Sequence, residues 1–175
     1  MLGRVFASTV CVLPLLVTQV AAMPAASETA SAFANLASLL PCQPDIEILA
    51  EDLGYRKVAQ TQIDKDYADI EYSDVLNQTH LTVSFEGTPI GAQFSVLLDI
   101  PETDQVYADT VVTALRRDWS LPESVHLQNL ASGTAQFWTV ELPKGVAQIT
   151  VRHDNMTTQI SGTLEPQTRG IPLPC

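Results

Sequence analysis

Basic side chains are scarce in this chain: nine lysines and arginines stand against twenty aspartates and glutamates, a net charge of −11. A surface this acidic repels phosphate backbones and anionic membranes, so nucleic acid is excluded as an expected partner. Glycine is also sparse, with eight residues scattered singly. That leaves no glycine-rich phosphate loop before a helix and no Gly-x-Ser-x-Gly nucleophile elbow. Three histidines, His80, His126 and His153, are present, and no two have the local spacing of a zinc site. The three cysteines include no Cys-x-x-Cys pair, which argues against a thiol redox centre. No metal, cofactor or catalytic constellation is assigned from the sequence.

Long apolar runs are equally rare, and the one that exists is at the start. Met1-Leu-Gly-Arg4 is short and basic, Val5 to Val20 is mostly apolar, and Val20-Ala21-Ala22 supplies small residues for a peptidase. Residues 1–22 therefore read as a secretory signal peptide cut after Ala22. The run is short and holds Pro14, so no stable membrane insertion is expected once it is removed. Without Arg4, eight basic side chains face twenty acidic ones, a charge of about −12. Without Cys11, two cysteines remain, Cys42 and Cys175. In an exported chain, periplasmic or extracellular, an even pair implies one disulfide. It would tie the Pro-rich tail, residues 165–175, back to the leader and first helix, residues 23–42.

The region between, residues 43–164, reads as a single α+β domain. The first helix spans Glu28 to Leu40, with Ser27 as N-cap and a thin apolar stripe of Phe33, Leu36, Leu39 and Leu40 that suits the domain margin. A second begins at Asp45 and ends before Gly54. Tyr55 to Thr61 is a weakly alternating strand. Leu81 to Phe85 alternates cleanly, and Ile90 to Ile100 is apolar on both faces, which predicts a central strand. Thr103 to Trp119 is the strongest helix, with Tyr107, Val111, Leu115 and Trp119 four apart, supported by Val106 and Ala114. Beyond it, Ala135–Leu142, Val146–Arg152 and Thr157–Leu164 alternate between turn signals at Pro143-Lys144-Gly145 and His153-Asp154-Asn155. Strand side chains point alternately to opposite faces, so this half is an antiparallel meander, buried on one face and wet on the other. The predicted architecture is a mostly antiparallel sheet with helices on one face.

A faint internal echo accompanies this layout. Thr82-Val83, a turn with Gly87, then Ala92-Gln93-Phe94-Ser95-Val96 and Asp99 parallels Thr139-Val140, a turn with Gly145, then Ala147-Gln148-Ile149-Thr150-Val151 and Asp154. Two units of a helix followed by strands would explain it, the first enlarged by an acidic segment. The chance likeness of two amphipathic hairpins would explain it too.

That acidic segment, Ile63 to Leu76, carries Asp64, Asp66, Asp69, Glu71 and Asp74 among Tyr67, Ile70 and Tyr72. Asp64-Lys65-Asp66 opens like a calcium loop, but Ala68, Asp69 and Val75 fall where a ligand, a glycine and a bidentate glutamate are needed. The segment reads instead as a solvated edge strand or a long hairpin, with Asp66, Tyr67, Asp69, Glu71 and Tyr72 as a candidate interaction edge for a protein or peptide. The functional expectation is an exported, non-catalytic binding or interaction module. The competing class is a small exported hydrolase using a carboxylate and a histidine, with His80 or His126 as base. One observation separates the two: a histidine that shares a cleft with two carboxylates favours catalysis.

Overall fold

The computed structural model describes residues 23–64, 67–74, 79–88, 91–121, 126–130, 133–142 and 145–166. Three helices, α1 (Ala26–Ser38), α2 (Gln43–Asp52) and α3 (Gln105–Asp118), accompany eight strands. The strands are β1 (Arg56–Asp64), β2 (Tyr67–Asp74), β3 (Thr79–Thr88), β4 (Gly91–Ile100), β5 (His126–Leu130), β6 (Gly133–Leu142), β7 (Gly145–Asp154) and β8 (Thr157–Pro166). They form one antiparallel sheet in the order β1-β2-β3-β4-β8-β7-β6-β5. Two four-stranded meanders thus meet at the β4–β8 seam, and α3 carries the chain from the middle of the sheet to its far side. The α+β class and the antiparallel sheet with helices on one face are as the sequence predicts. The most apolar strand, β4, is indeed central.

One face of the sheet is buried under the helices. In register across it lie Ile70 with Val83, Val83 with Val96, Leu98 with Ile160, and Ile160 with Val151. All of these are buried. Burying each such side chain contributes on the order of 1.5–3 kcal/mol.

α1 departs from its expected place at the margin. Its Ala30, Phe33, Leu36 and Ala37 are all buried, and it packs on α3 and the β4–β8 seam. The stripe looked thin because alanines fill it, yet small side chains are what let a helix approach a sheet closely. Phe33 reaches Trp119 edge-to-face at 6.0 Å, and the hydroxyls of Thr29 and Tyr107 meet at 2.7 Å. The helix starts after Ala25, which offers no side-chain cap, rather than at Ser27. On α3, Val106 is exposed rather than a core residue.

β1 also departs from its sequence pattern. Register shifts around Val58 and Ile63 interrupt its pairing with β2. A bulge inverts the inside-outside alternation, so Lys57 pairs with buried Tyr72 and reaches Glu47 of α2 at 3.6 Å. Cys42, at the N-cap of α2, is buried and does not stand as a free thiol; Cys175 lies outside the described residues. Among the described residues, no helix is long and apolar enough to cross a membrane.

Candidate functional site

Of the two readings of the acidic segment, the hairpin holds and the edge strand does not: β1 and β2 pair antiparallel, and β1 is the outer strand. β2 is the second strand, paired to β1 on one side and to β3 on the other, so its backbone offers nothing to an added strand. The charge pattern suggested an edge, but β1 takes that position. The side chains separate by face. Tyr72 points under the helices and is 1 % exposed, whereas Tyr67, Asp69 and Glu71 stand on the uncovered face. The Tyr67 hydroxyl donates to Asp69 Oδ2 at 2.7 Å, and this bond is the main cause that raises the Tyr67 pKa above its ordinary value. Asp66 lies outside the described residues.

The histidines are just as separate. His80 is exposed on the uncovered face, opposite Asp99 in register. The side chain of His126 lies outside the described residues. His153 is not in a turn: it is near the end of β7, paired with Thr158 of β8, and the turn is Asn155-Met156. Both turn residues have positive φ, 46° and 64°, as a two-residue hairpin loop requires.

That hairpin places His153 in a cleft of ≈ 530 Å³ against the start of α3. Glu102, Thr103, Asp104, Gln105 and Met156 line it with the imidazole, and Met23 and Tyr107 complete the wall. Asp104 is the N-cap of α3, its Oδ1 accepting from the Tyr107 amide at 2.8 Å. This satisfies a backbone donor that the helix leaves unpaired and places a negative charge at the positive end of the helix dipole. Glu102 has φ 58°, a conformation that costs a non-glycine residue energy and recurs near functional sites. The Thr103 amide donates to the Met156 carbonyl at 2.9 Å, which ties the helix entry to the hairpin.

Behind the imidazole is a chain of buried hydroxyls. His153 Nδ1 is 3.3 Å from Thr158 Oγ1, which is 2.7 Å from Thr103 Oγ1, and Thr103 donates to the Ile100 carbonyl at 3.4 Å. Both threonines are 0–1 % exposed. Each hydroxyl has a single proton. The chain can run in two directions. With the Thr103 proton on Ile100, Thr158 donates to Thr103 and accepts from Nδ1–H, which leaves Nε2 as the lone-pair nitrogen; with the Thr103 proton on Thr158, Thr158 donates to Nδ1.

Neither the cleft nor the hydroxyl chain was visible in the sequence, since Thr103, Thr158 and His153 become neighbours only through the β7–β8 pairing and the start of α3. Among the described residues, no three histidines, cysteines or carboxylates gather as a metal site. The chain matches no family model, no curated protein and no solved structure.

Proposed function

We propose that this chain is a small exported hydrolase whose site is the cleft between α3 and the β7–β8 hairpin. One observation carries the reading: His153, held from behind by buried hydroxyls, shares that cleft with Glu102 and Asp104. A histidine sharing a cleft with two carboxylates separates the classes, and it favours catalysis over the non-catalytic module. His153 takes the role that the sequence offered to His80 or His126.

In the proposed reaction, Nε2 of His153 accepts a proton from a water as that water attacks a carbonyl carbon, and the imidazolium returns the proton to the leaving group. The acidic lining disfavours anionic substrates and suits neutral esters or amides. General-base action of this kind contributes about 10²–10⁴-fold in rate. The test is hydrolysis of a panel of neutral chromogenic esters by the intact chain, by His153→Gln and by Thr158→Val. His153→Gln should abolish turnover. Thr158→Val should retain turnover at lower kcat with an altered pH profile, because Nδ1 of His153 loses its hydroxyl partner. Equal turnover by His153→Gln and the natural chain, or none by either, would rule out the proposal.

The compartment belongs to the same proposal. Cleavage after Ala22 and a Cys42–Cys175 bond would produce an exported chain with its tail tied to the start of α2. The state of Cys42, buried and not a free thiol, supports the bond. In the chain-entropy model a loop this long contributes roughly 5 kcal/mol, though measured bonds more often give about 2–4. Non-reducing mass spectrometry of the exported form should start at Met23 and show a Cys42–Cys175 peptide pair. Two thiols open to alkylation would refute the bond, and an intact Met1 would refute the cleavage.

A further inference from the structure

The face of the sheet opposite the helices has no covering element among the described residues. Two rows of outward side chains run across it in register. One is Asp69, Ser84, Ser95, Thr163, Gln148 and Thr139. The other is Glu71, Thr82, Leu97, Ser161, Thr150 and Phe137. Serines and threonines make up most of the middle of both rows, with Leu97 the apolar exception. At the β6 end, Leu97, Ala135 and Phe137 line a depression of ≈ 350 Å³ together with Thr150 and Arg152. Phe137 is 40 % exposed there, a large apolar group left in water.

The charge on this face is lopsided. Asp69, Glu71 and Glu86 cluster over β2 and β3, and Asp99 follows on β4. Arg152 is already engaged by Asp154 at 2.9 Å, and Arg56 stands at the outer corner. Asp69 Oδ1 and Asp99 Oδ1 are shielded from water and accept no hydrogen bond among the described residues. A shielded carboxylate oxygen without a donor is costly, and an arriving cationic donor relieves that cost.

We propose that this uncovered face docks a cationic polypeptide segment. Its lysines or arginines lie on Asp69, Glu71 and Glu86, and one apolar side chain fills the depression between Leu97 and Phe137. Complementary charge selects this occupant. A second copy of the chain brings the same negative face, and nucleic acids and anionic lipids bring the same sign. From Glu71 to Phe137 is five strand spacings, about 24 Å, which an extended segment spans in about seven or eight residues. The face lies across the sheet from the helices, and the inference does not rest on the proposed hydrolysis.

The probe is a synthetic peptide of about ten residues, end-blocked, with lysines alternating with serine in one half and a single leucine in the other. Amide chemical shifts of the intact chain report where it binds. Shifts should concentrate on β2, β3, β4 and β6–β8. The Asp69→Asn/Glu71→Gln pair should weaken binding about tenfold at low salt, roughly what two exposed charge contacts supply. Phe137→Ser should weaken it at low and high salt alike. The Glu51→Gln/Asp52→Asn pair, an equal charge change on exposed α2, should leave binding unchanged. The inference fails if that control weakens binding equally, if shifts fall on α1–α3, if a glutamate-for-lysine peptide binds as well, or if sedimentation shows self-association through this face.

Discussion

At the scale of single residues, Gly162, on the buried face of β8 at the seam, is a close side-chain fit between helix and sheet. A methyl group there would stand 3.0 Å from Phe33 Cζ, 3.3 Å from Ile149 Cδ1 and 3.5 Å from Ala37 Cβ. The glycine is therefore a packing residue: it lets α1 lie directly on the sheet. Gly162→Ala gains about 0.5–1 kcal/mol from the stiffer unfolded chain, but overpacking costs about 1–3 kcal/mol. A net loss of roughly 1 kcal/mol is expected from urea unfolding. The cause can be isolated, because Phe33→Leu removes the Cζ that the new methyl meets. The loss from Gly162→Ala should shrink in the Phe33→Leu background, a coupling between two touching residues. Additive losses would mean that α1 does not press on this position. The hydroxyls of Thr103 and Thr158 make the same point for polar groups: two ordinary threonines, 55 positions apart, acquire a role only through their contact.

At the scale of elements, alternation and helical spacing revealed most of the fold, because burial on one face writes itself directly into sequence period. β3, β4, β6, β7 and β8 were legible for that reason, as was α3. The misreadings have particular causes. β1 alternates only weakly in sequence because a bulge between Lys57 and Ala59 shifts the period without any residue that marks it. α1 was underrated because its contact surface is alanine, which contributes closeness rather than area. The acidic side chains of β2 suggest an edge as readily as a hairpin, because a strand inside a sheet with one wet face can carry the same charges. The internal echo was also misplaced. It aligned Thr82–Asp99 with Thr139–Asp154, which are β3–β4 and β6–β7. The topology instead repeats a helix and four strands, so that β3 corresponds to β7 and β4 to β8. Any hairpin with one wet face yields a similar string of alternating small, polar and branched residues, and such strings align as well one strand out of step. The acidic segment is then no insertion: β2 is the second strand of its meander, as β6 is of the other. Of the candidate sites, Tyr67, Asp69 and Glu71 were legible as exposed groups but assigned to edge pairing. The His153 cleft was not legible, because it is made by the meeting of a helix start and a hairpin far apart in the chain.

At the scale of the whole molecule, the tyrosines couple stability to pH. Burial raises the pKa of Tyr55, Tyr72 and Tyr107, with that of Tyr72 pushed up to about 12 by burial first and then by Glu47 and Glu51. The ordinary value is 10.0. Below pH 10 both the folded and the unfolded chain keep the Tyr72 proton, and its contribution is complete. Between about pH 10 and 12 the unfolded chain releases a proton that the folded chain retains. Stability therefore falls as pH rises, by about 1.4 kcal/mol per pH unit for each such group. Tyr72 carries a second cost at every pH, since its hydroxyl is buried without a hydrogen-bond partner among the described residues. Tyr72→Phe removes both costs and keeps the ring over β2. It should raise stability by about 1–3 kcal/mol at neutral pH, the usual cost of a buried unsatisfied hydroxyl. It should also make the alkaline decline shallower by one proton between pH 10 and 12. Urea unfolding of both chains across that range, followed by tyrosinate absorbance, measures the two effects together. A destabilised variant at neutral pH would show that the hydroxyl has a partner. An unchanged alkaline slope would show that Tyr72 titrates normally in the folded chain.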